Sequence, residues 1–101
     1  MFVHIVFWRL QEQPVNGQSK QQNALEMKRR FEAMRGQIPG LLRCDFGIDV
    51  SRNDESADVA LYTEFTDKAA FDGYYVHPLH LDIVGFIKQV KAERRVVDWT
   101  N

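Results

Sequence analysis

Only one cysteine, Cys44, occurs in 101 residues, so no disulfide can close within the chain and packing and hydrogen bonds must hold the fold. With no signal peptide at the start, that usage fits a reducing cytoplasm, the expected location. Neither sign of charge dominates: thirteen Lys and Arg face fourteen Asp and Glu, a formal net of −1. A nucleic-acid partner needs a clustered basic surface that displaces counterions, and the chain has none. Its two basic runs, Met27 to Arg30 and Lys91 to Arg95, read as solvated helix faces or ends. Long apolar runs are missing as well. Nothing approaches the ~20 residues of a membrane helix, so no membrane partner is expected. Aromatic residues, in contrast, make up 12% of the chain, which points to an aromatic-rich core. The length suits one domain, 1–101, small enough that a second copy would help to bury apolar surface.

Phe2 to Leu10 is β-branched and aromatic and predicts a strand. Phe2, His4, Val6, Trp8 and Leu10 alternate with Val3, Ile5 and Phe7, so both faces call for burial and the strand should be central. Gln11 to Gln18, with Pro14 and Asn16-Gly17, is a loop. Ser19 is an N-cap for a helix running to Arg35, with Ala24, Met27, Phe31, Met34 and then Ile38 on its core stripe and Gly36 as its stop. After the Ile38-Pro39-Gly40 turn, Leu41 to Ser51 alternates as a strand with Leu42, Cys44, Phe46, Ile48 and Val50 on one face, and Gly47 marks a bulge or a close backbone approach. Cys44 reads as a packing residue, since no thiol-activating base lies near it in sequence. Arg52 to Ser56 is a short link to a third strand, Asp58 to Thr66, with Val59, Leu61, Thr63 and Phe65 opposing Ala60, Tyr62 and Glu64. The two strands should pair as a hairpin. Thr66-Asp67 caps a short helix through Phe71 to Tyr74 and Tyr75. Pro78, without an N–H, suits the first turn of another helix and leaves His77 at its cap. That helix carries Leu81, Ile83, Val84, Ile87 and Val90 on its apolar side, and Glu93 to Trp99 closes the chain as a fourth strand.

The order β, α, β, β, α in two pieces, β is that of an α+β, ferredoxin-like βαββαβ fold with a four-stranded antiparallel sheet. Right-handed crossovers put the helices on one sheet face. The other face, also supplied with apolar side chains by the first and third strands, predicts a homodimer in which two sheets pack together and enclose a ligand.

The densest chemistry lies between Phe71 and Leu81, where two tyrosines and two of the three histidines straddle Pro78. Together with Val3-His4-Ile5-Val6, Ile38-Pro39-Gly40, Val97-Asp98-Trp99 and above all the Tyr-x-x-His-Pro-x-His pattern of Tyr74 to His80, it resembles the stress-responsive A/B barrel proteins, a branch of the dimeric α+β barrels. The resemblance spans nearly the whole chain and includes plant polyketide cyclases of the olivetolic acid cyclase type. It implies acid/base work by Tyr74 and His80 on a small apolar carbonyl compound, with His4 lining the site and Asp98 supporting the imidazole. The chemistry is sound in itself. Removing a proton beside a carbonyl needs a base near neutrality, and the developing enolate needs a hydrogen-bond donor.

Plainer roles compete for each residue. His77 reads as a helix cap, His4 as an interior histidine satisfied by a neighbour, and Trp8, Phe46 and Phe65 as packing aromatics before they read as cavity lining. His77 and His80, with Asp82 or His4, form a weak metal alternative, because the spacing matches no recognised zinc pattern. A haem rests on fold analogy alone. Neither metal nor cofactor is therefore assigned. The choice is between an acid/base enzyme and a non-catalytic ligand-binding or structural dimer. An enclosed cavity of roughly 300 Å³ reached by Tyr74 and His80 would favour the enzyme.

Overall fold

Both faces of β1 (Phe2–Leu10) are apolar, and the structure, a computed structural model describing residues 1–101, gives the strand neighbours on both edges. It is followed by α1 (Lys20–Glu32), β2 (Leu41–Ile48), β3 (Val59–Phe65), α2 (Lys68–Tyr75), α3 (Pro78–Val90) and β4 (Lys91–Thr100). The strands lie in the order β2-β3-β1-β4, every pair antiparallel. This is the expected ferredoxin-like fold, with a helical second crossover in two pieces.

The core lies between sheet and helices. Phe2, His4, Val6, Trp8 and Leu10 are buried on one face of β1, level with Val59, Leu61, Thr63 and Phe65 of β3 and Cys44 and Phe46 of β2. Ala24, Met27 and Phe31 of α1 and Ile83, Ile87 and Val90 of α3 cover them. Trp8, Phe31 and Phe46 form a stack with centroid distances of 5.5 to 6.3 Å. Each such ring contributes about 1.5–3 kcal/mol on burial. Cys44 Sγ donates to the carbonyl of Phe31, and burial pushes the thiol up to about 11, which makes it a packing residue with little thiolate.

Ser19 caps α1 in a full capping box with Gln22. The regular helix stops at Glu32, three residues short of the expected Arg35. Met34 N–H donates to Phe31 and Arg35 N–H to Glu32, three-residue bonds that tighten the last turn before Gly36 at φ +76°. Gly40, at φ +79°, closes the turn into β2. A Cβ there would lie 2.5 Å from Ala70 Cβ and 3.0 Å from Thr66 Oγ1, so the start of α2 sits directly on this glycine.

Three expected core positions are corrected. Leu41 pairs with Phe65 and Arg43 with Glu64, so Leu42 is the extra residue of a β-bulge. Phase is lost there: Leu42 is exposed and Leu41 packs on the core instead. The bulge is therefore at Leu42 and not at Gly47, which pairs with Ala60 in unbroken register with open space around it. Val50 lies beyond the strand end and is exposed. In α3, Leu81 points outward, because capping at His77 fixes a phase in which His80, Ile83, Ile87 and Val90 face in.

The other sheet face carries Val3, Ile5 and Phe7 of β1 beside Val97 and Trp99 of β4, with Phe7, Val97 and Trp99 exposed. Toward β2 this face turns polar, with Arg43, Asp45 and Glu64 around Tyr62. The apolar patch thus comes from the first and last strands. The third strand spends Val59, Leu61, Thr63 and Phe65 on the helix side and gives this face Ala60, Tyr62 and Glu64.

Candidate active site

Register puts the first half of the site on the sheet. His4 lies between Thr63 of β3 and Asp98 of β4, the residue opposite it on each side. Thr63 Oγ1 donates to the carbonyl of His4 at 2.9 Å, and His4 Nδ1–H donates to Asp98 Oδ1 at 2.5 Å. A carboxylate can only accept, so this bond leaves the lone pair on His4 Nε2. His4 is buried and Asp98 is partly exposed at the sheet edge. Burial lowers the imidazole pKa below its usual value, outweighing the hydrogen bond and charge of Asp98 that raise it.

The helix bend supplies the second half. Asp67 caps α2 through Ala70 N–H, and the helix ends at Tyr74 and Tyr75. His77 caps α3: its Nδ1 accepts from Leu79 N–H at 3.2 Å, with Pro78 at the first helical position. His77 is absent from the wall of the site. His80, one turn in, is buried, and its Nδ1 lies 3.0 Å from the carbonyl of Tyr75. Since a carbonyl only accepts, Nδ1 holds the proton and Nε2 is the basic atom. Burial lowers the pKa of His80, against the bond to Tyr75 that raises it, with a further lowering by His4 and Arg94.

Tyr74 joins the halves. Its ring centroid lies 4.3 Å from that of His80 and 6.4 Å from that of His4. It is 1% exposed, and burial drives its phenol far above the usual range, so it remains a neutral O–H. The hydroxyl has no hydrogen-bond partner. Tyr74 Oη and Trp8 Nε1 are the two buried side-chain polar atoms in that condition.

Both line one cavity of about 210 Å³, whose wall includes His4, Val6 and Leu61 of the sheet and His80 and Ile87 of α3. It lies between sheet and helices within one protomer. The inward phase of His4 and His80 places both on the helix side of the sheet, away from the face expected to meet a second sheet. The structure brings together Tyr74, His80, His4 and, through His4, Asp98. Trp8 joins them, whereas Phe46 and Phe65 stay in the packed core. His77, His80 and Asp82 do not converge, and no group of three His, Cys, Asp or Glu side chains is placed to hold a metal ion. Lys91 and Arg94, expected on a solvated run, also line the cavity, with Lys88. Their signal was period-two: Arg94, Val96 and Asp98 lie opposite Trp8, Val6 and His4. A wider hollow of about 720 Å³ near Lys20, Asp49 and Asp58 is polar, and its Lys20 is already paired with Glu12 and Asp58.

Residues 2–101 match the model of the Stress responsive A/B Barrel Domain. No curated protein matches the sequence. Among solved structures, a dimeric protein of unknown function with a ferredoxin-like fold from Bacteroides fragilis superposes with a TM-score of 0.86 at 26% identity, over 99% of this chain and 95% of that one. A dimeric ferredoxin-like protein of unknown function from Thermobifida fusca gives 0.83 at 20% identity, over 99% and 90%. The hydroxynitrile lyase of Passiflora edulis gives 0.78 at 16% identity, over 97% and 90%, and at that identity shares the fold alone. Strand order, split second helix and a family match along almost every residue agree, and the chain belongs to the stress-responsive A/B barrel domain family.

Proposed function

We propose that the protein is a homodimer whose protomers each bind a small, largely apolar carbonyl compound and catalyse proton transfer beside its carbonyl, as a cyclase- or lyase-like enzyme without a cofactor. One observation carries this reading: an unpartnered, buried Tyr74 hydroxyl sits against His80, whose Nδ1 is tied to the backbone and whose Nε2 is left basic. His80 Nε2 takes the proton from the carbon next to the carbonyl and becomes imidazolium. The C–H electron pair moves into the enolate, whose oxygen accepts a hydrogen bond from Tyr74. Return of the proton from His80 to carbon completes an exchange cycle; where that carbon instead bonds to a second carbonyl, the π pair of that carbonyl moves onto its oxygen, and the alkoxide takes the proton from His80, which regenerates the base. His4, held by Asp98 and Thr63, orients the bound molecule. The apolar patch of Phe7, Val97 and Trp99 and the dimeric state of similar structures support the homodimer.

The test is deuterium exchange. Aryl and alkyl methyl ketones incubated in D₂O with the protein should lose the proton signals beside the carbonyl, and His80→Ala should stop this. No exchange above the buffer rate with any ketone that binds would refute catalysis. The second reading, a dimer that binds without turnover, draws on the cavity volume, which at about 210 Å³ is below the ~300 Å³ of ordinary ligand sites. Binding without exchange is its signature.

A further inference from the structure

Every lysine and arginine of the chain is ion-paired to a carboxylate except Arg52, Lys88, Lys91 and Arg94. The last three all line the cavity of Tyr74 and His80. Lys91 and Arg94 are partly buried and Lys88 is exposed; unpaired cations at the wall of an apolar hollow are uncommon, since an ion pair is the usual way to offset partial burial. Their placement is also asymmetric. On β1, His4 and Trp8 are separated by four residues, ~13 Å of strand. Asp98 lies opposite His4, whereas Arg94 lies opposite Trp8 and Lys91 opposite Leu10. The cavity therefore has His4, Tyr74 and His80 toward one side and Lys91 and Lys88 toward the other, cationic end, with the Arg94 charge rooted opposite Trp8 yet near enough to act on both histidines. At the cationic end Trp8 adds an indole N–H that is buried and unpartnered.

We propose that the ligand is a small carboxylate anion: an acid whose carboxylate is held by Arg94, Lys91 and Lys88 with Trp8 Nε1–H, and whose carbonyl reaches Tyr74 and His80. This deepens the proton-transfer reading and rests on it for the role of the carbonyl end. Arg offers two parallel N–H donors to a carboxylate, and the indole, which only donates, suits an oxygen that only accepts. Size limits the apolar body to one ring or a short chain, because a cavity of ~150 Å³ already admits benzene.

The probe is 4-acetylbenzoate, with 4-acetylbenzamide as its neutral isostere. Titration calorimetry should find the acid bound at least ~10-fold more tightly than the amide, the value of one charge-assisted contact. Raised salt should narrow the gap. Arg94→Met with Lys91→Met should abolish it, Arg94→Lys should retain most of it, and Trp8→Phe should weaken the acid more than the amide. Equal affinities, a preference for the amide, a preference that survives the double variant, or no binding of either compound at millimolar concentration would each overturn the proposal. Thermal melts of the variants exclude a lost fold as the cause. The acetyl protons of the same probe report separately on proton transfer. Acid preference without exchange retains the carboxylate site and rejects catalysis, and exchange without acid preference does the reverse.

Discussion

Tyr74 and His80 touch ring to ring at 4.3 Å without a hydrogen bond between them. The imidazole has satisfied one nitrogen on the backbone, and the phenol has satisfied nothing. A folded protein rarely leaves a hydroxyl this deeply buried without a partner, because the desolvation cost is about 1–3 kcal/mol. The pair thus keeps an unused donor, the Tyr74 hydroxyl, at the cavity wall.

Tyr74→Phe should accordingly raise stability by up to ~1–3 kcal/mol, since it deletes an orphaned polar atom and keeps the ring. In the same variant, deuterium exchange should slow but persist, because water replaces a neutral donor in part. Melting curves and exchange rates on one sample check both. A lower melting temperature would mean that the hydroxyl has a partner in solution.

His80→Ala should remove turnover, a loss of ~10² to 10⁴ in rate, with the fold kept. His77→Ala should act on stability alone, costing about 1 kcal/mol through the lost cap at Leu79 N–H. Paired measurements of rate and melting separate the two. The assignment fails if His77→Ala kills activity in a stable protein.

Acid should destabilise the fold at mild pH. The folded-state pKa values of His4 and His80 are both lowered, chiefly by burial, whereas in the unfolded chain both titrate near 6.5. Below that value the unfolded state binds more protons than the folded one. Stability is then full above pH ~6.5 and declines as pH falls, by at most ~1.4 kcal/mol per pH unit for each histidine. Denaturant midpoints at pH 7.5 and 5.5 measure the slope. His80→Phe should flatten it.

Trp8→Ala should cost ~3–5 kcal/mol, because it empties the centre of the Phe31 and Phe46 stack. Arg29→Ala, on the solvated face of α1 beside Glu26, should stay within ~0.5 kcal/mol. Equal small shifts would show that β1 is peripheral.

Sedimentation should find a species of twice 11.8 kDa at micromolar concentration. Val97→Glu should dissociate it, since a stable interface of more than ~1,200 Å² would have to cover the patch of Phe7, Val97 and Trp99. A wild-type monomer would remove the dimer from the proposal.

Strand and helix order were legible because period-two and period-four patterns survive in β1, β3 and α1, and because Ser19, Asp67 and His77-Pro78 mark helix starts by chemistry that acts within four residues. Leu42 and Leu81 were misread because a bulge and a cap set phase, and hydrophobicity alone does not report phase. Tyr74 and His80 were legible as site candidates through the Tyr-x-x-His-Pro-x-His pattern, and the structure sets them ring to ring on one cavity wall. Their cavity was not legible: it needs the pairing of Arg94 with Trp8 and of Asp98 with His4, contacts made by register between distant strands.

That register also governs when the molecule can exist. His4 and its carboxylate are 94 residues apart, and β1 has its place in the sheet interior only once β4 has docked. Pairings of such long sequence separation make for slow folding. Until β4 has been made, one edge of β1 lacks its strand, whatever the helices and the β2–β3 hairpin have formed. A nascent chain stalled before Arg94 therefore carries an unpaired strand edge and an unfinished cavity, a form open to chaperone capture or to aggregation through that edge.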